Sequence, residues 1–378
     1  MPRTFRAAIW RGESDGAAVF GVEEVEHLSD LRPHYVEVRV TASSISISDH
    51  LFLRPENQGG RAPLPQVLGH GGVGIVERVG AGVERLKAGD RVLMYGTPQC
   101  NECWYCRNGR ADWCTEIQFV GPPIARTLDG LDVHASSAVG SFAEYAVVPQ
   151  SQLVAVDTPL SDDELAFLTI SGSSGIGPAL IVAPVRAGSV VAVVGLGPCG
   201  LSYLQAAKLA GARQIIGVDP VPARRELALS LGATNVVDPT NEDPIAAVRA
   251  LGPDRGGLFG TGADVVFEAT TTTKGMQQAW EMAPAGGTVV LSSVPFDMTA
   301  SVEFPATPFA CQGKTVHGSQ QGGFAIGRDT PMAIELMEAR RLDFGALIDA
   351  TYALDDIASA LDDVAAYRIV AGSLHLDG

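Results

Sequence analysis

A glycine-rich turn between an apolar run and a helical pattern constrains the fold of this chain more than any other feature. Val190–Val194 is followed directly by Gly195-Leu196-Gly197-Pro198-Cys199-Gly200. In a strand–turn–helix unit, the first glycine permits the tight turn, the second lets the backbone approach a pyrophosphate, and the third lets the helix pack closely on its strand. The helix N-terminus adds partial positive charge. The pattern therefore predicts a dinucleotide site formed by Gly195, Gly197, Pro198, Cys199 and Gly200.

An acidic residue ends the next predicted strand. Asp219 lies 19 residues beyond Gly200, where a carboxylate hydrogen-bonds the adenosine ribose of a bound dinucleotide. Because a carboxylate repels the 2′-phosphate of NADP, the predicted cofactor is NAD(H), with NADP less favoured. Arg224 and Arg225 are close enough to keep NADP open, and Arg224 is a further cofactor-binding candidate. The alternative interpretation makes Asp219 a plain turn residue.

The pattern of the chain changes near its middle. Up to about residue 150, short apolar segments alternate with Gly, Pro and Asp turn signals, which predicts a β-rich region. From about Gly188, strands and helices alternate, which predicts an α/β fold with a parallel sheet covered by helices on both faces. Residues 120–141 and 254–261 are predicted as long loops and Met332–Arg341 as a helix. A chain of 378 residues exceeds one hydrophobic core, so two domains are expected.

Four of the six cysteines lie in one short segment, at positions 100, 103, 106 and 114. Four thiolates in one loop satisfy a tetrahedral zinc ion and leave no open coordination position, as in a structural site. An iron–sulfur cluster is the competing interpretation, but the closely spaced fourth cysteine of a bacterial ferredoxin run is missing. The sequence therefore predicts one structural zinc ion per chain, bound by Cys100, Cys103, Cys106 and Cys114.

The charge of the chain argues against two classes of partner. Its 43 acidic and 27 basic residues give a formal net charge of −16, and such a surface repels nucleic-acid phosphates and anionic lipids. Residues 1–10 do not resemble a signal peptide, and apolar runs such as Val190–Leu196 are too short to cross a membrane. We expect a cytoplasmic protein that acts on a small-molecule substrate, without nucleic acid or membrane.

Together these features resemble the zinc-containing alcohol dehydrogenases of the medium-chain dehydrogenase/reductase (MDR) superfamily, over essentially the whole chain. The segment Gly69–Val83 matches the family signature at every fixed position except Gly71, where the family has Glu. Thr97-Pro98-Gln99-Cys100 leads into the cysteine segment as it does in that family. The resemblance implies an oxidoreductase with its active site in a cleft between two domains, assembled as a homodimer or homotetramer.

The resemblance also implies the division of the chain. A GroES-like β-barrel catalytic domain is expected at residues 1–170, with the structural-zinc lobe at about 96–116. A Rossmann NAD-binding domain is expected at 171–322, and a return to the catalytic domain at 323–378.

The catalytic zinc site of the family is where this sequence departs from it. The family uses Cys, His and Cys or Asp as ligands, a set the chemistry of zinc favours. The first position falls on Ser46 and the second on His70, whereas residues 169–174, which match the third, hold neither Cys nor Asp. One imidazole with hydroxyl groups holds Zn²⁺ poorly. We therefore expect the structural zinc and no catalytic zinc.

The resemblance assigns roles to four residues near this position. Ser48 matches the residue that passes the alcohol proton onward, and Asp49 matches the residue behind the histidine ligand. In the absence of zinc, Asp49 would orient His70, whose other ring nitrogen could donate a proton, and Ser46 would fill the vacated ligand position. The alternative is that His70 and Asp49 are an inert relic.

Three further residues are cofactor-binding candidates. Arg368 matches the family arginine that pairs with the pyrophosphate, a role that suits a guanidinium group. Thr270 follows a predicted strand at the sheet edge where the cofactor should pass. Ser319 lies where the family backbone holds the nicotinamide amide.

Three functions remain open from the sequence. The first is an NAD(H)-dependent biosynthetic reductase that transfers hydride, without catalytic zinc, to an activated C=C bond or an iminium acceptor, because such acceptors need no Lewis acid. The second is a zinc-independent alcohol/ketone dehydrogenase. The third belongs to another class, a catalytically silent dinucleotide-binding subunit.

Overall fold

The computed structural model describes residues 3–14, 17–53, 63–257, 259–295, 297 and 299–376. The chain divides into two compact units. Unit 1 comprises Met1–Ile170, Ala325–Arg340 and Phe344–Gly378, and unit 2 comprises Ser171–Phe324 and Arg341–Asp343. The boundaries expected from the sequence were 170/171 and 322/323.

The described strands, in chain order, are as follows: β1 Thr4–Ser14, β2 Ala17–His27, β3 Tyr35–Ile45, β4 Gln66–Val67, β5 Gly71–Val79, β6 Arg91–Tyr95, β7 Val120–Thr127, β8 Asp132–Ser136, β9 Tyr145–Pro149, β10 Leu153–Ala155, β11 Val190–Val194, β12 Gln214–Val218, β13 Asn235–Val237, β14 Val265–Glu268, β15 Thr288–Leu291, β16 Thr315–Gly318, β17 Ile348–Ala353 and β18 Ala371–His375.

The described α-helices, in chain order, are as follows: α1 Ile47–Phe52, α2 Trp104–Arg107, α3 Asp162–Phe167, α4 Ser173–Gly177, α5 Pro198–Leu209, α6 Pro222–Leu231, α7 Pro244–Leu251, α8 Thr273–Met282, α9 Ala306–Cys311, α10 Ile326–Glu338 and α11 Ile357–Ala365. Two π-helical segments, Leu168–Gly172 and Pro178–Val182, flank α4.

Unit 1 is built from β-structure. Its strands form a closed barrel in the order β1-β2-β7-β8-β4 and a second sheet in the order β10-β6-β5-β3-β18-β17, with β9 also paired to β3. Every second side chain of β3 from Val36 to Val40 is fully buried, because alternate residues of a strand face the same side. The core gathers large side chains from several strands, including those of Trp10 and Phe142. This sheet fixes the end of β3 and the start of β5, where the candidate site lies.

Two elements of unit 1 differ from the sequence prediction. Residues 120–141 were predicted as a loop, but most of them form the antiparallel pair β7 and β8, whose strands carry register shifts near Pro123. Gly121 lies at one of these irregularities, and Gly130 lies between the two strands. The helix predicted at Met332–Arg341 is α10 and begins earlier, at Ile326, because Asp329 accepts the Ala325 N–H at 2.8 Å and so satisfies its first turn.

Unit 2 contains the predicted parallel sheet. Its strand order is β13-β12-β11-β14-β15-β16, and every adjacent pair is parallel. Numbered from β11, the order is 3-2-1-4-5-6, that of a doubly wound dinucleotide-binding fold. Val190–Val194 is an unbroken apolar run with every residue buried, as expected for a central parallel strand. The glycine-rich turn follows this strand directly.

One helical run, Asp162–Val182, is long and apolar enough to cross a membrane by length and composition alone. Its mean hydropathy is 1.6, and 78% of the apolar stretch is buried inside the protein. That degree of burial is typical of a core helix. The run includes residues 169–174, where the π-helical segment Leu168–Gly172 meets α4.

Candidate functional site

The candidate site of unit 1 lies where β3 ends and α1 begins. Ser46 is the residue that precedes α1, and its backbone N–H donates to Asp49 Oδ2 at 3.0 Å. This contact fixes the start of the helix and holds the Asp49 carboxylate in place. Ser48 lies in the same turn, and His70 directly precedes β5.

The structure brings Ser46, Ser48, Asp49 and His70 together. His70 Nδ1 lies 2.9 Å from Asp49 Oδ1, and His70 Nε2 lies 3.4 Å from Ser48 Oγ. Ser46 Oγ lies 2.7 Å from Ser48 Oγ and donates to Asp49 Oδ2 at 3.1 Å. Asp49, Ser46 and His70 are buried, whereas Ser48 is half-buried. The four predicted catalytic residues therefore form one cluster, whose most exposed member is Ser48.

The environment of His70 favours its protonated form. Burial lowers the pKa of His70, but the charge of Asp49 and its hydrogen bond outweigh that effect, and the pKa is raised above its ordinary value. The Phe52 ring packs edge-on against the imidazole with the ring centroids 6.0 Å apart. A buried imidazolium beside a buried carboxylate is a net-neutral pair suited to moving a proton through Nε2.

The donor groups at this cluster do not form a zinc ligand set. Around His70 the structure places the carboxylate of Asp49 and the hydroxyls of two serines, with Asp49 already committed to Nδ1. Among the described residues, one group brings three or more ligand atoms of His, Cys, Asp or Glu within 4.8 Å of one another. That group consists of the four cysteines and does not include His70. Zinc affinity rests on thiolate, imidazole or carboxylate ligands converging on one point.

The four cysteines form a compact cluster. Cys100 Sγ and Cys106 Sγ are 3.9 Å apart, close to the separation of about 3.8 Å that two sulfurs at Zn–S bond length adopt in a tetrahedron. Backbone N–H groups of Cys106 and Thr115 lower the pKa of Cys103 to about 6, whereas burial raises the pKa of Cys106 and raises that of Cys114 to about 12. The geometry of the four sulfurs therefore carries the assignment, since a bound metal ion itself favours the thiolates. The arrangement fits a structural zinc ion.

Unit 2 has a candidate site of its own, the glycine-rich turn. Gly195 has φ +91°, and a Cβ on Gly200 would lie 1.9 Å from the Gly195 carbonyl oxygen, so neither position accepts another residue without rearrangement. A Cβ on Gly197 would instead meet open space. Pro198 opens the twelve-residue helix α5, and the first N–H groups of a helix have no partner within it. The turn fits a dinucleotide pyrophosphate.

Cys199 lies in the first turn of α5 but is not a reactive thiol. Burial raises its pKa to about 11, against a smaller opposing hydrogen bond with Ser171. Its contribution to a cofactor site would come from its backbone N–H, as at other helix N-termini.

Asp219 is tied to the glycine turn. Its Oδ2 accepts the Leu196 N–H and its Oδ1 accepts the Val221 N–H, both at 2.8 Å. Arg225 donates to the Asp219 carbonyl oxygen at 2.7 Å and pairs with Asp238 at 2.8 Å. Arg224 is buried. Both arginines near Asp219 are therefore engaged within the fold.

The remaining cofactor candidates are placed as follows. Thr270 donates its N–H and its hydroxyl to Glu268 Oε1, each at 2.6 Å. Ser319 Oγ is buried and lacks a hydrogen-bond partner among the described residues, so it is available to a ligand. Arg368 is mostly exposed and pairs with Asp363 at 2.5 Å. The roles of these residues remain predictions.

Sequence reasoning missed Glu268 as a site residue. It is completely buried at the end of β14, and burial raises its pKa, although hydrogen bonds from Ser293 and Thr270 oppose the rise. The available signal was an acidic residue closing an otherwise apolar strand, as at Asp219. Glu268 fixes the Thr270 hydroxyl at the carboxyl end of the sheet.

Comparison with known proteins gives the family. Residues 32–158 match the alcohol dehydrogenase GroES-like domain, and residues 198–339 match the zinc-binding dehydrogenase model. The chain is 33% identical over 350 residues to an alcohol dehydrogenase class-3 of Drosophila melanogaster, covering 90% of each protein.

Solved structures agree with this assignment. An alcohol dehydrogenase zinc-binding domain protein from Burkholderia ambifaria has a TM-score of 0.89 and 29% identity over 100% of both chains. A benzyl alcohol dehydrogenase from Acinetobacter calcoaceticus has a TM-score of 0.86 and 27% identity over 99% of both. The predicted fold class, a GroES-like barrel with a Rossmann sheet, is confirmed. The chain belongs to the zinc-containing alcohol dehydrogenase family of the MDR superfamily and is an NAD(P)-dependent oxidoreductase.

Proposed function

We propose that this protein is an NAD(H)-dependent reductase that transfers hydride, without a catalytic zinc ion, to an activated C=C bond or an iminium carbon. The observation that carries the proposal is the hydrogen-bonded cluster of Ser46, Ser48, Asp49 and His70 at the position where the family binds its catalytic zinc. These groups handle protons and do not make a strong Lewis-acid site.

The chemistry restricts the acceptor. A bound nicotinamide dinucleotide supplies a hydride ion. A simple ketone must be polarised before it accepts hydride, and a metal ion is the usual means. An enal, an enone or an iminium ion already carries an electron-poor carbon, so hydrogen bonding from neighbouring groups is sufficient.

The residues of unit 1 supply the proton. Ser48, the most exposed member of the cluster, donates its hydroxyl proton to the oxygen that gains charge when hydride arrives at a conjugated carbon. His70 Nε2, 3.4 Å from Ser48 Oγ, returns a proton to the serine. Asp49 holds the imidazole through Nδ1 and stabilises its cationic form.

The preference for NAD(H) over NADP(H) is supported by unit 2. The Asp219 carboxylate lies at the ribose-binding position of the motif and would repel a 2′-phosphate. Arg225 is held by Asp238 and by the Asp219 carbonyl oxygen, which leaves it poorly placed to neutralise that phosphate. A homodimer or homotetramer acting on a small molecule completes the proposal.

Two measurements on the purified protein test it. Zinc analysis should give one ion per chain, and NADH oxidation should proceed with an enal or an iminium ion. Two zinc ions per chain would refute the metal-free mechanism. Turnover of simple alcohols with NAD that survives mild chelation would instead indicate an alcohol/ketone dehydrogenase, for which the Ser48–His70–Asp49 chain could accept the alcohol proton. Tight NADH binding without turnover of any acceptor would indicate a silent dinucleotide-binding subunit.

A further inference from the structure

We propose that Ser46, Ser48, Asp49 and His70 form one closed hydrogen-bonded ring that binds one exchangeable proton, and that Ser46 is the positioning residue that closes it. The inference deepens the proposed function and rests on it, because it identifies the proton source for the reduction. The geometric basis is the set of four side-chain contacts that lead from Asp49 to His70, Ser48, Ser46 and back to Asp49.

The ring has one hydrogen fewer than its four contacts require when His70 is neutral. Four contacts need four hydrogens if each is to be a hydrogen bond. With a neutral imidazole and an ionised carboxylate, the two serine hydroxyls and one ring N–H supply three. One contact then lacks a hydrogen. Protonation of His70 supplies the fourth, so the ring gains a hydrogen bond when it takes up a proton.

The protonated ring has a single consistent direction of donation. His70 Nδ1–H donates to Asp49 Oδ1, and Nε2–H donates to Ser48 Oγ. The Ser48 hydroxyl then donates to Ser46 Oγ, and the Ser46 hydroxyl donates to Asp49 Oδ2. Ser46 thereby accepts the Ser48 hydrogen and turns a Ser48 lone pair toward His70. A residue at position 46 without a hydroxyl would leave Ser48 free to rotate.

Burial and charge are consistent with a proton held here. Asp49 contributes the charge that acts on His70, and the Phe52 ring packs against the imidazole as an uncharged neighbour. The protonated ring contains one cation and one anion, so it is neutral as a whole and tolerates burial better than an isolated charge. Ser48 is the half-buried member of the ring, so the proton passes to the substrate from its hydroxyl group.

The ring narrows the substrate class within the proposed function. Hydride addition to an iminium carbon moves the C=N π electrons onto nitrogen and gives a neutral amine, so no proton is consumed. Hydride addition to the β-carbon of an enal or enone moves the C=C electrons toward the carbonyl oxygen and gives an enolate. The Ser48 hydroxyl turns from Ser46 Oγ and gives its proton to the enolate, while the His70 Nε2–H proton passes to Ser48 Oγ and leaves a neutral imidazole. A ring that stores a proton therefore favours a carbonyl-conjugated acceptor.

A double-mutant cycle read by NMR tests the ring in the full-length protein without cofactor or substrate. The pH midpoint of the His70 imidazole is measured with ¹⁵N-histidine, and its signal is assigned by its loss in His70→Gln. Ser48→Ala should weaken proton binding by His70 by about three- to tenfold, the equivalent of one hydrogen bond. In the Ser46→Ala background the same change should have little effect, because an isolated Ser48 donates to neutral Nε2 as readily as it accepts from Nε2–H.

The outcome separates a ring from independent contacts. Equal effects of Ser48→Ala in both backgrounds would overturn the proposal, because independent contacts are additive. Ser43→Ala is the matched control: Ser43 is a buried serine of β3 that donates to the Gly71 carbonyl oxygen at 2.9 Å, and its loss should leave the His70 midpoint unchanged. Because no acceptor is present, failure of the ring is distinguishable from failure of the proposed reductase activity.

A kinetic comparison tests the substrate consequence. Ser46→Ala should lower the ratio of kcat for an enal to kcat for an iminium ion by about tenfold or more, because only the enal reaction draws on the proton-donating group whose full contribution is typically about 10²- to 10⁴-fold. Equal losses with both acceptors would contradict the assignment of the stored proton to a carbonyl-conjugated substrate.

Discussion

Gly71 lies so close to Thr169 that a Cβ atom at position 71 would be 2.5 Å from the Thr169 Oγ1. Thr169 is fully buried and donates its hydroxyl hydrogen to the Ala166 carbonyl oxygen at 2.7 Å. As a β-branched residue with a hydrogen-bonded hydroxyl, it has little freedom to move aside. The side chain of the glutamate that the family has at position 71 therefore has no space here. The packing of Thr169 requires glycine at position 71.

Gly71→Ala should lower the free energy of unfolding by about 1–3 kcal/mol, the usual cost of overpacking a buried position. Gly21→Ala is the matched control: Gly21 also lies in a strand, but a Cβ there meets nothing within 4 Å, and the change should stay within about 0.5 kcal/mol. Denaturant unfolding of both variants gives the comparison. Equal stabilities of the two variants would mean that the contact with Thr169 does not constrain position 71.

The cysteine cluster gives a prediction about metal content. Cys103→Ser should reduce bound zinc from about one ion per chain to nearly none, because three thiolates and a hydroxyl hold zinc far less tightly than four thiolates. Cys311→Ser, which changes an exposed cysteine outside the cluster, should retain the ion. Elemental analysis after dialysis measures both. Equal zinc content in the two variants would exclude the cluster as the binding site.

The glycine turn and the cysteine cluster could be predicted from the sequence because each is a short segment. The spacing of its glycines or cysteines is enough to predict what it binds. The glycines from Gly195 to Gly200 permit the tight turn that joins a strand to a helix. The cysteines from Cys100 to Cys114 are close enough in sequence for one short loop to bring them together. The structure places Gly195 at positive φ and the sulfurs of Cys100 and Cys106 at 3.9 Å. Neither result depends on distant parts of the chain.

The closed contact among Ser46, Ser48, Asp49 and His70 could not be predicted in the same way. Sequence reasoning paired Asp49 with His70 through the family resemblance, but it treated Ser46 as a residue that merely fills a vacated position. Its contacts with Ser48 and Asp49 are local and belong to the capping box at the start of α1. The contacts of His70 with Ser48 and Asp49 join residues more than 20 positions apart. It is this tertiary placement of His70 that leaves no local pattern in the sequence.

Asp219 gives a prediction about cofactor preference. Asp219→Asn should weaken NADH binding by about 10- to 100-fold, because it removes a charged hydrogen-bond acceptor. It should weaken NADPH binding less, because the charge that repels the 2′-phosphate is also lost. Fluorescence titration with each cofactor gives the ratio.

Asp243→Asn is the matched control for that change. Asp243 also accepts a backbone N–H two residues ahead, that of Ile245 at 2.9 Å, but it caps α7. Its substitution should leave both affinities unchanged. An unaltered NADH-to-NADPH ratio in Asp219→Asn would show that this carboxylate does not select the cofactor.

A buried carboxylate of β3 gives a prediction about stability and pH. Glu37 is 1% exposed, accepts a hydrogen bond from Arg78 Nε at 3.0 Å, and lies 3.1 Å from His27 Nδ1. Burial raises the pKa of Glu37, but the hydrogen bonds and charges of His27 and Arg78 outweigh burial and lower the pKa to about 2. The folded state therefore stabilises the ionised form of Glu37 relative to the unfolded chain.

Because the folded pKa of Glu37 lies below its ordinary value of 4.5, its stabilisation is present above that value and is lost as the pH falls toward 2. Glu37→Gln should remove on the order of 2 kcal/mol at pH 7 and little at pH 2, so the stability difference from wild type should shrink across this window. Glu23→Gln is the control, because Glu23 pairs with Arg11 at a partly exposed site and such pairs contribute about 0–1 kcal/mol. Denaturant unfolding between pH 7 and pH 2 measures the difference. A wild-type-to-Glu37→Gln difference that stays constant with pH would contradict the lowered pKa.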